Sequence, residues 1–156
     1  MSNSETPAVT DDPAVRERAA EVLQRTAACT LATASSDGVP EAATVRFVTD
    51  DEYNVYVNTA TNYRKYTNMT ANPRVAVVVD GDAGNLQLEG RATELQGEDA
   101  ASFRARYAEK YGHSEYLTHE TSTCFAVETD WARLLVDGSF PPEHAMVVGD
   151  GETALH

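Results

Sequence analysis

Residues 29–49, CTLATASSDGVPEAATVRFVT, contain two runs of alternating apolar and polar side chains joined by a turn. Alternation with a period of two is typical of a half-buried strand. Between the runs, Ser36-Asp37-Gly38 has the residues that favour a tight hairpin turn. The segment therefore predicts two antiparallel strands, residues 29–35 and 41–49.

Further short strands are expected on the C-terminal side of this hairpin. They cover residues 53–59, 74–80, 86–95, 123–129 and 131–137, and the helices are expected at about 62–71 and 97–112 and after Asp12-Pro13. Gly90, inside one of these strands, indicates a bulge or bend. Six or seven short antiparallel strands with two or three peripheral helices predict a mainly β fold, either a closed barrel or a sandwich. We favour the barrel.

The chain has 156 residues and a mass of 16.9 kDa, which fits one domain. Residues 1–11 are expected to form a disordered acidic arm, 12–138 the domain, and 139–156 a C-terminal tail in loop conformation. The polar N-terminus does not resemble a signal peptide, and no apolar run approaches the roughly 18 residues that span a bilayer. Cys29 and Cys124 are expected to be buried, reduced thiols, as in a cytoplasmic protein.

Charge is the outlying property of the composition. The chain has 25 Asp and Glu against 12 Lys and Arg, a net charge of −13, and only two of the bases are lysines. This balance excludes an ordinary nucleic-acid binder and a protein that docks on an anionic membrane. The plain interpretation is a solvated acidic surface. Scarce lysine beside abundant acid also resembles the proteins of halophilic archaea.

We expect stability to depend on salt if the halophilic interpretation holds. Dense like charge destabilises the compact state, and salt screens that repulsion. The thermal unfolding midpoint should therefore fall as NaCl is lowered from about 2 M to about 0.1 M, where the screening length grows to about 10 Å. An unchanged midpoint would contradict salt adaptation.

Acid is absent from 27 consecutive positions, Tyr53 to Val79. Part of this stretch is an expected core strand, where acids are normally absent. The remainder is polar, however, and includes Asn62, Arg64 and Lys65. With Asn62 as the N-cap of the short helix, both cations fall in its first turn, where the helix dipole disfavours positive charge.

A broken local rule of this kind points to a functional site. A bound anion would resolve the conflict if the helix N-terminus, Arg64, Lys65 and the Thr59 hydroxyl held it together. The alternative is that both cations point outward and pair with acids elsewhere. The first interpretation predicts a ligand that bears a phosphate.

The spacing of Thr59, Arg64-Lys65 and Asn72-Pro73-Arg74-Val75, preceded by Arg46-Phe47-Val48, resembles the pyridoxamine 5′-phosphate oxidase-like superfamily of FMN-binding split barrels. The resemblance covers about residues 26–96, with a looser match through 137. It implies a split β-barrel, a flavin cofactor, and homodimers with the cofactor at the subunit interface.

The resemblance also implies roles for particular residues. Arg64, Lys65 and Thr59 match the residues that hold the cofactor phosphate, and Arg46 matches an arginine near the phosphate or ribityl chain. The backbone of Phe47, Val48 and Thr49 would follow the isoalloxazine edge, and Asn58 would make a further contact. A family glutamine falls near Asn85 or Gln87.

Two departures argue against a true pyridoxamine phosphate oxidase. Asp51 stands where that enzyme has a substrate-binding lysine. The family's C-terminal arginine-leucine-proline ending is missing, and Trp131-Ala132-Arg133-Leu134 matches it only loosely. The chain is closer to the short members that bind FMN or the deazaflavin F420. We therefore expect an oxidoreductase that acts on an unknown small organic substrate.

Other interpretations stay open. A non-enzymatic flavin or heme carrier is one, with His113 or His119 as a heme ligand, and an interaction domain whose Arg-Lys helix contacts a partner's acids is another. Phe103, Tyr107 and Tyr111 lie four residues apart, a spacing more typical of helix packing than of a cofactor contact. No metal site is expected, and we name no catalytic side chain because a flavin carries the redox chemistry itself.

Overall fold

The hairpin predicted from residues 29–49 is present in the computed structural model, which describes residues 6–150. Strands β1 (Cys29–Ala34) and β2 (Pro40–Val45) pair antiparallel. Gly38 makes the turn with a φ of 85°, a left-handed conformation that glycine adopts without steric cost. Its N–H donates to the Ser35 carbonyl at 2.9 Å. The turn predicted from the sequence is therefore confirmed.

The second predicted strand, residues 41–49, is interrupted at Arg46, and this break closes the sheet. Strand β2 ends just before Arg46, and β3 (Phe47–Thr49) begins just after it. Strand β2 pairs with β1, whereas β3 pairs with β4 (Val55–Ala60). Because β2 and β3 follow one another in the chain yet lie at opposite ends of the sheet order, the sheet closes into an antiparallel barrel.

The other elements complete a six-stranded barrel with one extra strand. Their bounds are α1 Pro13–Arg25, α2 Arg64–Ala71, β5 Arg74–Gly81, β6 Gly84–Glu94, α3 Gly97–Tyr111, β7 Ser122–Asp137 and β8 Glu143–Val148, with a 3₁₀ turn at Glu115–Thr118. The sheet order is β2-β1-β5-β6-β7-β4-β3, and β8 pairs with the second half of β7. The expected mainly β, closed antiparallel barrel with peripheral helices is confirmed.

Apolar side chains from the strands fill the barrel. The largest fully buried ones on strands are Leu31, Phe47, Val55, Val57, Val77, Leu86, Leu88, Phe125 and Leu134. Helix α1 adds Ala19, Val22 and Leu23, and its N-cap Asp12 accepts from the Ala14 N–H at 3.0 Å as expected. No helix within residues 6–150 is long and apolar enough to cross a membrane.

A second, smaller cluster fixes α3 against the outside of the barrel. Phe103 and Tyr107 pack there with Val48 and Cys124. The aromatic stripe of α3 is thus largely a packing face, as its spacing predicted. Cys29 and Cys124 are both buried and form no disulfide, which confirms the expectation for the two thiols.

Three expectations are wrong, and they concern the C-terminal tail, the N-terminal arm and the start of β4. The tail was expected to be a loop, but it contains β8, whose partner β7 lies far away in sequence. Residues 8–10 of the expected disordered arm pair with the end of β8, since Val9 bridges Val148 and Thr10 N–H donates to Val147 O at 2.8 Å. Strand β4 was expected to begin at residue 53 but begins at Val55. Tyr53 has a φ of 66°, a left-handed backbone conformation that does not occur within a strand. Residues 1–5 and 151–156 lie outside the described residues.

Lys110, near the end of α3, connects three elements. Its Nζ donates to the carbonyl oxygens of Leu23 in α1 at 3.1 Å and Phe47 in β3 at 3.2 Å, and it lies 3.9 Å from the centre of the Phe47 ring. It takes part in no ion pair within residues 6–150. Burial lowers the pKa of Lys110 from 10.5 to about 8, with a smaller opposing effect from Cys29.

We expect Lys110 to make the free energy of unfolding depend on pH between about 8 and 10.5. In this range the unfolded chain holds a proton that the folded chain has released, so the contribution of Lys110 to stability rises with pH. Urea unfolding of the wild type and Lys110→Met at about pH 7.5 and about pH 9.5 measures this, and the wild type should gain on the variant at the higher pH.

The tyrosines and cysteines are the same in the wild type and the variant, so their contributions to the free energy of unfolding cancel in the comparison at each pH. Lys65→Met removes the other lysine and is the matched control. If the wild type gains equally on both variants as pH rises, the dependence does not come from Lys110.

Candidate functional site

Helix α2 begins with Arg64, Lys65 and Tyr66 and has no acid in its first turn. It begins one residue later than an N-cap at Asn62 requires, so the prediction of Asn62 as N-cap is wrong. The N–H of Tyr63 donates to the Ala60 carbonyl at 3.0 Å, which places Asn62 inside a turn. Tyr63 is the N-cap and its side chain makes no capping hydrogen bond. The cations therefore remain at an uncapped, positive helix end.

A cavity of about 350 Å³ lies between the start of α2, the break after β2, and α3. We name it the Arg46 cavity. Its lining residues are Thr44, Val45, Arg46, Asn58, Tyr63, Lys65, Tyr107, Ser114 and Tyr116. The fold thus brings three of the predicted cofactor residues, Arg46, Asn58 and Lys65, to one cavity with three tyrosines.

Arg46 occupies the break between β2 and β3, and its exposed side chain is held by α3. Its Nη1 donates to Tyr107 Oη at 3.3 Å, and its Cζ lies 5.0 Å from the centre of the Tyr111 ring. Tyr111 Oη in turn donates to the Phe47 carbonyl at 2.6 Å. The hydrogen bond with Tyr107 raises the pKa of Arg46, so this group is cationic at every physiological pH.

Lys65 and Asn58 also line the Arg46 cavity. Lys65 Nζ lies 4.7 Å from the centre of the Tyr63 ring, a cation–π contact that leaves its charge unneutralised. Asn58 Nδ2 donates to Ser122 Oγ at 2.9 Å, which fixes the amide on the outer face of β4. Partial burial raises the pKa of Tyr116, so its hydroxyl is a neutral donor at pH 7.

The other predicted cofactor residues lie outside this cavity. Phe47 is fully buried in the barrel and Val48 packs under α3. The Thr49 carbonyl accepts from Arg106 Nη1 at 2.9 Å. Thr59 faces the barrel interior, and its Oγ1 is buried without a hydrogen-bond partner. The roles expected for these four residues stay predictions.

Arg64 differs from Lys65 in having an acidic partner. Its Nε lies 3.8 Å from Glu41 Oε2, and its side chain is 66% exposed. The sequence left open that both cations point outward and pair with acids, and this is what the structure shows for Arg64. The structure does not show it for Lys65, because Lys65 forms no ion pair within the part of the chain described.

A second cavity, of about 540 Å³, lies on the outer face of β5, β6 and β7. Gln87 lines it, whereas Asn85 does not and instead donates to Asp80 Oδ1 at 3.3 Å. Arg133 Nη2 donates to Gln87 Oε1 at 2.7 Å, while Arg133 Nε and Trp131 Nε1 are buried without a partner. Buried polar groups are normally hydrogen-bonded, so a single chain leaves two donors on this outer face without acceptors.

Sequence reasoning missed Tyr63 and Tyr116 as lining residues of the Arg46 cavity, and it favoured packing over a cofactor contact for Tyr107. Tyr107 was assigned to packing by its helical spacing, and it does both, because its ring is buried while its hydroxyl reaches Arg46. Tyr116 lies in the segment 113–121, which carries no periodic signal. It reaches the cavity because Thr61 N–H donates to the Thr121 carbonyl at 2.9 Å, which holds this segment beside β4.

His113 and His119, either of which was expected as the heme ligand of a carrier, both lie outside the Arg46 cavity. His113 is exposed, and His119 Nδ1 accepts from the Thr121 N–H at 3.2 Å. Within residues 6–150 no three metal-ligating side chains lie close enough together to hold an ion.

The Arg46 cavity thus combines two cations that lack acidic partners with the rings of three tyrosines. Cations of this kind bind phosphate or carboxylate oxygens. Aromatic rings pack on a planar aromatic ligand. The arrangement suits a ligand that has both an anionic group and an aromatic ring.

Comparison with known families gives one match. The model of the family described as pyridoxamine 5′-phosphate oxidase matches residues 15–134. No curated protein matches the sequence.

Solved structures share the fold at low sequence identity. A protein of unknown function from Agrobacterium tumefaciens has a TM-score of 0.70 and 21% identity, over 82% of this chain and 60% of that one. A heme binding protein from Mycobacterium smegmatis has a TM-score of 0.72 and 18% identity, over 88% and 60%. An F420 reductase has a TM-score of 0.59 and 23% identity, over 72% and 93%. The chain therefore spans 60% of the length of the first two structures.

Proposed function

The chain belongs to the pyridoxamine 5′-phosphate oxidase family, and on that premise we propose that it is a cytoplasmic oxidoreductase that binds FMN in the Arg46 cavity and acts on a small organic substrate. Asp51, an acid in the turn after β3, stands where a true pyridoxamine phosphate oxidase has a substrate-binding lysine. The proposal therefore does not extend to vitamin B6 oxidation.

The observation that carries the proposal is the pair of cations, Arg46 and Lys65, that have no acidic partner within the described residues. Within residues 6–150 only Arg25, Arg64 and Arg74 form ion pairs, so the feature that distinguishes Arg46 and Lys65 is that they line one cavity together with three tyrosine rings. Two cations that line one cavity repel each other, and a bound anion removes that repulsion. The phosphate of FMN, with a charge of about −1.5 to −2 at pH 7, fits this requirement.

Different lining residues would contact different parts of FMN. Arg46 and Lys65 would bind the phosphate, and Tyr107 holds the Arg46 guanidinium in place. Tyr63 and Tyr116 offer aromatic surface at the mouth, where they are 44% and 40% exposed. Asn58, fixed by Ser122, offers an amide to a polar edge of the ligand. When bound, FMN supplies hydride and single-electron transfer, and the protein orients it and controls access of water.

We also propose that the active form is a homodimer that uses the outer face of β5, β6 and β7. Ala76 and Val78 are half-buried there, and the unpaired Trp131 Nε1 and Arg133 Nε lie on the same face. A second copy would cover Ala76 and Val78 and bring hydrogen-bond acceptors to a face whose other lining residues are largely polar. Sedimentation equilibrium should give about twice the chain mass, and a monomer at micromolar concentration would contradict the dimer.

F420 and heme are the alternative cofactors, the second in a non-enzymatic carrier. An F420 reductase and a heme binding protein share the fold, which supports F420 and heme as the alternatives. The absorption spectrum of the purified protein separates the three. Oxidised FMN absorbs near about 370 and 450 nm, F420 near about 420 nm, and heme shows a sharp Soret band. A colourless protein that takes up none of them would contradict the proposed function.

A further inference from the structure

Glu41 is the acid that lies next to the start of α2. Its side chain is 20% exposed, and Oε1 is buried without a hydrogen-bond partner. Oε2 lies 3.8 Å from Arg64 Nε, beyond hydrogen-bond distance, in the one ion pair that Glu41 forms within residues 6–150. A buried carboxylate oxygen that has no donor is destabilising. Glu41 is therefore held in a costly position beside Arg64, the residue that precedes Lys65 in the first turn of α2.

The fold fixes this pairing through the packing of α2 on β1. Asn68 Nδ2 donates to Thr33 Oγ1 at 3.0 Å, and both side chains are buried. Thr33 lies directly opposite Glu41 in the β1–β2 register. Arg64 precedes Asn68 by four residues and shares its face of the helix. The contact between Asn68 and Thr33 thus places Arg64 over Glu41.

Glu41 changes the number of cations available to a ligand. Arg46 and Lys65 have no acidic partner, whereas Arg64 is partly neutralised. The ion pair is long and Arg64 is 66% exposed, so it contributes little stability and exchanges readily. A phosphate at the start of α2 and the carboxylate of Glu41 would compete for the same guanidinium.

We propose that Glu41 is a specificity-determining residue of this site, because it competes with the ligand phosphate for Arg64 and so limits how strongly the cavity prefers a phosphorylated flavin. The inference rests on the proposed function. Glu41 acts through Arg64 and does not touch the ligand, so it is a positioning residue.

The test compares FMN with riboflavin, which has the same ring system and no phosphate. Dissociation constants are measured by flavin fluorescence for the wild type, Glu41→Gln, Arg64→Gln and the double variant. Glu41→Gln should tighten FMN binding about fivefold and change riboflavin binding by less than about twofold. Arg64→Gln alone should change FMN binding by less than about twofold. The double variant should lose the gain, because no guanidinium is left to be released.

Three results would overturn the inference. Glu41→Gln could leave FMN binding unchanged or weaken it, it could tighten both flavins equally, or its gain could persist in the double variant. Unchanged riboflavin binding in Glu41→Gln shows that the cavity is folded. A wild type that binds no FMN refutes the proposed function itself, which distinguishes that failure from an absent effect of Glu41.

Discussion

Lys65→Ala should weaken FMN binding about 30-fold, whereas Arg64→Ala should weaken it less than about threefold. Both residues are cations in the first turn of α2, so the two variants remove the same charge from the same helix end. Only Lys65 lines the Arg46 cavity, and only Arg64 has an acid beside it. A charge-assisted hydrogen bond to phosphate contributes about 1.5–3 kcal/mol, which corresponds to about 10- to 100-fold in affinity.

The measurement is a titration of each variant with FMN, followed by the quenching of flavin fluorescence. Arg104→Ala, on α3 outside the Arg46 cavity, controls for a general loss of positive charge. Equal losses in Lys65→Ala and Arg64→Ala would place the phosphate across the helix end and not in the cavity. A loss in Arg104→Ala of similar size would indicate a nonspecific effect of net charge.

Gly90→Ala should lower the free energy of unfolding by about 2–3 kcal/mol. A Cβ at Gly90 would lie 2.1 Å from the carbonyl oxygen of Glu128 and 3.0 Å from Thr129 Cα. Both atoms belong to the backbone of β7, so no side-chain rotation relieves the clash. The register between β6 and β7 shifts at this point, which leaves Asp130 unpaired in the ladder and beside Arg74, 2.6 Å away.

Urea unfolding monitored by circular dichroism measures the loss. Gly138→Ala is the matched control, because a Cβ at Gly138 meets only Leu135 Cδ2, at 3.8 Å. That variant should stay within about 0.5 kcal/mol of the wild type. Similar stability of the two alanine variants would mean that β6 and β7 can separate at the bulge without cost.

The features of the fold that could be predicted are those that depend on neighbouring residues. The Ser36-Asp37-Gly38 turn, the Asp12 cap and the Gly90 bulge each follow from a few adjacent side chains, and the structure contains all three. The break at Arg46 could not be predicted, because the alternation of residues 41–49 continues through it. Which neighbour a strand pairs with depends on distant chain segments, and the same holds for β8.

The candidate site was predictable where charge or alternation carried a signal. The acid-free stretch identified Lys65, and the family resemblance identified Arg46 and Asn58. The alternation of Val55, Val57 and Thr59 places the Thr59 side chain on the inner face of β4, a signal that the expected phosphate-binding role of Thr59 did not take into account. The position of Tyr116 had no such signal, because it depends on how an aperiodic segment folds back beside β4.

The most direct test of flavin phosphate binding in the Arg46 cavity is an equilibrium titration of the purified wild-type protein with FMN and with riboflavin. We expect saturable FMN binding at one molecule per chain, at least about 30-fold tighter than riboflavin binding, because only FMN meets Arg46 and Lys65 with a phosphate. Equal affinity for the two flavins, or no binding of FMN, would contradict this assignment.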